Sequence, residues 1–406
     1  MISVDDARTR ILAALGPLPA EQISIRNALG RVLAEDVKAR RTQPPTAVSA
    51  MDGYAVRACD IPSPGTELEI IGEAPAGGVC DRPVGEGQAV RIFTGGPMPE
   101  GADAVVMQED TEKPNESTVR INLPPHSGKF VRAAGLDFAE GQTLLEAGQT
   151  LSARDVGLLA AMNVPWIMVH RRPRVAILAT GDEIVMPGEP MGPSQIVSSN
   201  SLGLAATLEA LDCDPILLGV ARDNAEHLKS MASAAASADL LITTGGASVG
   251  DHDLIQSVLG ETGLQVDFWK IAMRPGKPLI FGHLNQTPMI GLPGNPVSTL
   301  VCSTVFVAPA VAKLSGKASE AFTHRSKAVL DCDIPQNDHR EEYMRAVFTN
   351  APGESLRVKP FEKQDSSMLS RLSGAGCLVV RPAHSAPMKA GQLVDIIQFP
   401  SSHRIL

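Results

Sequence analysis

Residues 240–253 read LLITTGGASVGDHD. The apolar, β-branched run LLITT has the length and composition of a buried strand, and the glycines behind it end the strand in a turn. The residues that follow, DLIQSVLGETG, have helical spacing. A glycine turn between a strand and a helix can aim backbone N–H groups at an anion. Two aspartates, Asp251 and Asp253, come directly after it and carry the wrong sign for an anion alone.

The same texture extends to both sides. RVAILAT, PILLGV, FWKIAM, LIFG and PMIGL read as strands; SLGLAATLEAL, NAEHLKSMASAAASA and PVSTLVCSTVFVAPAVAKL read as helices. Apolar strands separated by amphipathic helices predict a doubly wound α/β domain over 173–320, with a parallel sheet covered on both faces. Ligands of such sheets bind at the loops beyond the carboxyl ends of the strands.

Elsewhere the chain reads differently. Residues 3–14 predict a helix capped by Ser3, with Asp6 three residues on, and a second helix is expected over 27–34. LEIIG, AVRIF, DAVVM and TVRIN, between Gly, Pro and Asn turns, predict an inserted β domain at 51–137. Ser152 opens another capped helix, so residues 1–50 with 138–172 are expected to form one discontinuous helical domain. KAVLDC, YMRAVFT, SLRVKP, CLVVRP and LVDIIQF predict a C-terminal β-barrel or sandwich at 321–406. The fold class expected is multidomain α+β.

Composition narrows the function. A chain of 406 residues with net charge −9 is no general nucleic-acid binder, whose affinity would come from basic surface. Arg40-Arg41 and Arg171-Arg172-Pro173-Arg174 read as solvated turns. Six dispersed cysteines fit a reducing compartment and lack the spacing of a zinc or redox site. There is no signal peptide, and no run approaches the ~18 apolar residues that span a bilayer. The expectation is a cytoplasmic protein without a membrane partner.

Four loops converge on one edge of the α/β sheet: Thr180-Gly181-Asp182-Glu183, TTGGASVGDHD, MRPGKP (273–278) and GLPGNPVS (291–298). Gly246-Ala247-Ser248-Val249-Gly250 fits the G-x-S-x-G of hydrolases, but that elbow puts its serine on one sharp strand-to-helix turn, and no histidine can be assigned as its base. A P-loop would need lysine where Asp251 stands. What remains is an anion loop bordered by acids. Asp251 reads as a helix cap and His252 as a surface residue. Asp182, Glu183 and Asp253 read as a divalent-ion set, because Mg²⁺ takes oxygen ligands, one or two of them carboxylates and the rest from phosphate and water. Lys270, Arg274 and Lys277, around the rigid Pro275-Gly276 turn, supply fixed positive charge for an oxyanion. Pro293 and Pro296 shape a helix start that presents amides and Ser298. The residues alone thus predict an α/β domain that binds a phosphorylated or oxyanionic ligand with Mg²⁺.

Taken together, SAMDGYAVR (49–57), RIFTGGPMPEGADAVV (91–106), ATGDE (179–183), TTGGASVGDHD, MRPGKPLIFG and GLPGNPVS resemble the molybdopterin molybdenumtransferases, the MoeA and gephyrin E-domain family. The resemblance runs over essentially the whole chain. It implies an elongated four-domain subunit and a homodimer, with each active site formed between the α/β domain of one subunit and the first two domains of the other. It also implies insertion of molybdate into adenylyl-molybdopterin with Mg²⁺-dependent release of AMP, giving molybdenum cofactor. Asp182, Glu183 and Asp253 would then hold the metal or position water, and Asp223 joins the catalytic set. Gly245, Gly246 and Ser248 would hold the nucleotide or phosphate, and Lys270, Arg274 and Lys277 would screen phosphate and molybdate, with Pro293, Pro296 and Ser298 nearby. Asp52, Thr94, Arg132 and Asp137 would complete the site from the partner subunit. Arg345 and Ser366 match positions associated with oxyanion binding. Many relatives carry lysine where this chain has Arg274. Other cofactor-synthesis proteins and apo-molybdoenzymes are the further partners implied. The competing reading is a non-catalytic molybdopterin-binding scaffold or carrier on the same fold.

Overall fold

The computed structural model describes residues 1–222, 224–245, 258–261, 263–317, 324–351 and 355–399. Leu240–Thr244 is buried at every residue and lies inside a six-stranded sheet. The spatial order is Asp214–Ala221, Arg174–Thr180, Leu240–Thr244, Thr287–Leu292, Ile280–Leu284, Leu264–Trp269. Its central strands read as unbroken apolar runs because both faces are covered. Val175, Ile177, Leu240 and Ile242 point into one core, with the helix Asn200–Ala210 and the long helix that starts at Pro296. Ala176, Leu178 and Leu241 point into the other, with the helix Ala225–Ser233.

The first four strands are mutually parallel. The last two junctions are antiparallel, which corrects the uniformly parallel sheet expected from the sequence. Only Asn285 and Gln286 separate Leu284 from Thr287, and Asn285 has φ +55°. A two-residue connection with a left-handed residue is a hairpin turn, and hairpins join antiparallel strands.

The helical stretch Pro296–Leu314 is 19 residues long with mean hydropathy 1.7, yet 83 % of its apolar window is buried inside the protein. It is the core helix of the α/β unit. The N-terminal helix Val4–Ala13 starts where expected, with Ser3 Oγ accepting from the Asp6 N–H at 3.0 Å. Its buried residues Val4, Ala7 and Ile11 join the same α/β core, not the unit around residues 138–172 with which the sequence grouped them.

That unit is held by strand pairing. Ala20–Ser24 runs antiparallel to Trp166–His170, and Val37–Lys38 to Thr143–Leu145. The helix Ala153–Ala161 packs there behind a full capping box between Ser152 and Asp155. The helix expected over 27–34 is absent. A single turn at Ile25–Asn27 is followed by Gly30 at φ +78°, after which Val32 bridges Thr150 and Leu33 bridges Val169 in extended conformation. Gly30 breaks the helix and β-branched Val32 suits the pleat.

The insert is a second six-stranded sheet in which Gly53–Val56 and Gln88–Ile92 are paired inner strands. Near the C-terminus, Glu341–Phe348, Arg357–Pro360, Ser326–Leu330, Leu393–Gln398 and Cys377–Arg381 form a closed barrel, because the first of these also pairs with the last. The short strand Met273–Arg274 of the α/β unit adds to it in parallel, against Glu341 and Glu342.

Candidate functional site

Three parallel strands end side by side at Thr180, Thr244 and Leu292. Beyond their carboxyl ends lies a cavity of about 640 Å³ lined by Thr180, Glu183, Asn200, Gly245, Ser298 and Ser367, among others. Gly245 has φ +88°, and a Cβ there would stand 2.4 Å from the Thr180 carbonyl oxygen, so only glycine lets the chain turn out of the strand here. Asn200 opens its helix and ties the loops together: its Nδ2 donates to Thr244 Oγ1 at 2.9 Å and to the Gly294 carbonyl at 2.7 Å. The Asn200 Oδ1 and Thr180 Oγ1 atoms are buried without a hydrogen-bond partner. Such orphans cost about 1–3 kcal/mol each and point to a polar ligand.

Of the residues singled out in the sequence, Glu183, Gly245, Pro293, Pro296 and Ser298 meet on this cavity. Asp182 lines an adjoining cavity of about 730 Å³, with Arg222 and Glu189. Asp223, Gly246, Ser248, Asp251, His252 and Asp253 lie outside the described residues. Among the described residues, no group of three His, Cys, Asp or Glu is gathered as a metal set. The donors present, a Glu183 carboxylate and the orphaned Thr180 hydroxyl, are hard oxygens of the kind Mg²⁺ takes alongside phosphate and water.

The cations sit to one side. Pro278 lines the cavity, whereas Lys270, Arg274 and Lys277 are not among its lining residues. Lys270 has φ +72° and places its ammonium 3.8 Å from the centre of the Trp269 ring. Arg274 is exposed, with Nη1 3.7 Å from Glu342 of the barrel. The turn between Arg274 and Lys277 rests on the core helix: a Cβ on Gly276 would stand 2.4 Å from Cys302 Sγ.

Arg345 is buried, and its guanidinium is committed within the barrel. Nε donates to Gln364 Oε1 at 3.1 Å and Nη1 to the Asp365 carbonyl at 2.8 Å. This pins the loop that carries Ser366. The Ser366 carbonyl accepts the Val297 N–H at 3.1 Å, and its Oγ accepts from Asn295 Nδ2 at 3.0 Å. One of the helix-start amides expected to face an anion is therefore taken by the barrel, and Ser367 reaches the cavity instead. Neither Ser367 nor Asn200 was read from the sequence. The polar triplet Ser198-Ser199-Asn200 before an apolar helix is a visible signal, but locally it means only a cap.

The other predicted residues lie apart from this cavity. Arg132 and Asp137 line a cavity of about 560 Å³ with Pro44, Pro45 and Gly95. Next to Gly95, Thr94 gives two hydrogen bonds to Asp52 Oδ1, from its N–H at 2.7 Å and its hydroxyl at 2.8 Å. These bonds, the backbone one first, hold the Asp52 carboxyl below the usual aspartate range. Gly53 is required beside it: a Cβ would lie 1.9 Å from the Val106 carbonyl oxygen. The two cavities share no lining residue.

Comparison with known proteins follows the same division. Three family models match in order: the MoeA N-terminal region (domain I and II) over residues 2–163, a probable molybdopterin binding domain over 176–313, and the MoeA C-terminal region (domain IV) over 327–399. The chain is 35 % identical over 401 residues to a molybdopterin molybdenumtransferase of Haemophilus influenzae, covering 98 % of this chain and 99 % of that one. It is 36 % identical over 412 residues to one from a Nostoc species, covering 98 % and 94 %. Its fold is similar to a solved molybdopterin biosynthesis MoeA protein from Pyrococcus horikoshii, with TM-score 0.85, 31 % identity, and coverage of 99 % and 100 %.

Proposed function

This chain belongs to the MoeA family of molybdopterin molybdenumtransferases, and from that premise we propose that it transfers molybdate into adenylyl-molybdopterin, releasing AMP and molybdenum cofactor. The observation that carries the reading is the cavity at the strand ends, with Thr180 and Asn200 presenting buried, unpartnered oxygens beside Glu183. A volume of about 640 Å³ is within the range of small-molecule sites.

In this reading the nucleotide and its phosphates bind across Gly245 and the helix start at Ser298, and Asn200 orients them. Asp182 and Glu183, with Asp253, would hold Mg²⁺, which neutralises the pyrophosphate that is cleaved. Asp223, Gly246 and Ser248 belong to the same set. Arg274, Lys270 and Lys277 receive the molybdate dianion from the loop beside the cavity, and Arg345 and Ser366 keep the barrel wall of the site in place. Asp52, kept ionised by Thr94, is a hydrogen-bond acceptor that orients rather than a base that removes protons.

The two cavities belong to one reaction if a second copy brings its Asp52, Thr94, Arg132 and Asp137 against the α/β cavity of the first. A homodimer of four-domain subunits, acting in the cytoplasm, is the assembly proposed. It would pass cofactor to other synthesis proteins or apo-molybdoenzymes.

The test is AMP release by the purified protein from adenylyl-molybdopterin, with and without molybdate and Mg²⁺. Metal-dependent, molybdate-stimulated release is expected, lost in Glu183→Gln. Tight nucleotide binding without release would leave the carrier reading in its place. Mixing Asp52→Ala with Glu183→Gln protein should restore part of the activity, since one intact composite site forms in each mixed dimer. No restoration would sink the shared site.

A further inference from the structure

The barrel strand Glu341–Phe348 pairs on one side with Met273–Arg274 and on the other with Cys377–Arg381. The registers put Arg274, Glu342 and Arg381 directly opposite one another on three adjacent strands. Glu342 is buried, with Oε2 3.3 Å from Arg381 Nη1 and Oε1 3.7 Å from Arg274 Nη1. Arg381 is only 2 % exposed and is held from behind by the Ala386 carbonyl at 3.1 Å. Its charge makes Glu342 affordable as a buried carboxylate, and the closed barrel fixes where that carboxylate stands. Arg274, by contrast, is half exposed and has solvent as the alternative to this contact.

We propose that Glu342 is a positioning residue for oxyanion binding. Braced by Arg381, it holds one edge of the Arg274 guanidinium and leaves the remaining donors of its planar fork aimed at the oxyanion. The C-terminal barrel thereby sets the geometry of a group in the α/β unit's cation loop. The inference rests on the assignment of Arg274 to molybdate made above.

Two effects of removing Glu342 oppose each other. Losing a negative charge near the site would by itself tighten anion binding. Losing the brace would loosen it. The sign of the change in KM therefore decides between charge and position.

The experiment measures molybdate KM and kcat for AMP release, calorimetric binding of molybdate alone, and the thermal midpoint, in the full chain and in Glu342→Gln, Arg274→Ala and the double variant. Glu342→Gln is expected to raise KM at least ~threefold with kcat within about twofold, and to have no further effect when Arg274 is already Ala. A purely structural role would instead give additive losses and a lower midpoint, and would overturn the proposal. A lowered KM would overturn it too, by showing that charge and not position decides. If Arg274→Ala raises KM and Glu342→Gln does not, the positioning role fails while the function stands. If Arg274→Ala leaves KM unchanged, the assignment of Arg274 fails, and this inference with it. Should Glu342→Gln not fold with Arg381 left uncompensated, Glu342→Asp keeps the charge and withdraws the reach; an unchanged KM there is equally fatal.

Discussion

Asp52 and Thr94, 42 residues apart in sequence, are joined by two hydrogen bonds to a single carboxylate oxygen. The acid comes from the turn before one strand of the inserted sheet and the threonine from the end of its neighbour. The pairing of Gly53 with Ile92 brings the two together.

The first prediction concerns the charge of that acid. Its pKa lies below that of an ordinary aspartate because Thr94 donates to the charged form, so folding favours ionised Asp52. Its stabilising contribution is present above pH ~4 and is lost as pH falls through the lowered native value. Carboxyl NMR titration should find the Asp52 midpoint below that of an ordinary aspartate, and Thr94→Val should return it towards the ordinary range. An unshifted midpoint in the intact protein would refute this.

Gly245→Ala should damage the nucleotide cavity without touching the other one. A left-handed φ of +88° and a Cβ 2.4 Å from the Thr180 carbonyl force the backbone to move, at a cost of order 1–3 kcal/mol. Nucleotide affinity measured by calorimetry should fall at least tenfold. Wild-type affinity would mean that the turn is not part of the site.

Asn200→Ala removes the bridge from Thr244 to Gly294 and one of the two orphaned oxygens. A loss of about 1–2 kcal/mol in nucleotide binding is expected, larger than the change in folding stability, because the wasted polar burial of Oδ1 disappears with it. Isothermal titration beside a thermal melt separates the two. A drop in the melt alone would make Asn200 purely structural.

Thiol reactivity should follow burial. Cys59 is exposed, whereas burial pushes the Cys213 and Cys377 thiols up to about 12 and raises Cys302 as well. Labelling the native protein with a disulfide reagent should modify Cys59 first and spare these three until denaturant is added. Rapid native labelling of Cys302 would mean that the loop over it, at Gly276, opens easily.

Ser152→Ala removes one half of a capping box, the Asp155 N–H to Ser152 Oγ bond at 3.4 Å, and keeps the backbone Ser152 N–H to Asp155 Oδ2 bond at 2.7 Å. A loss of about 1 kcal/mol is expected, seen as a lower thermal midpoint. The AMP-release rate at low temperature should not change, since no residue of the helix Ala153–Ala161 lines either cavity.

Much of this protein is written locally. The run LLITT announces a strand covered on both faces, Ser3 and Ser152 announce helix starts, and the chain order of strands and helices announces a doubly wound unit. Each of these signals depends on residues within one turn or one strand. The hairpin at Asn285-Gln286 was not read, because PMIGL looks the same whether its neighbour runs parallel or antiparallel. At 27–34 the apolar spacing suited a helix, and distant partners, Thr150 and Val169, made it extended instead.

The kinds of elements, their order and the chemical character of the loops follow from local stretches of chain, because propensity, capping and burial on two faces act over a few residues. Which surface each element covers is settled by long-range packing: the first helix packs on the α/β core, Ser366 closes the helix start at Val297, and Arg274 faces Glu342 across a strand pairing. Those contacts join residues far apart along the chain. An apolar stripe records that a face is buried, but carries no mark of the partner that buries it.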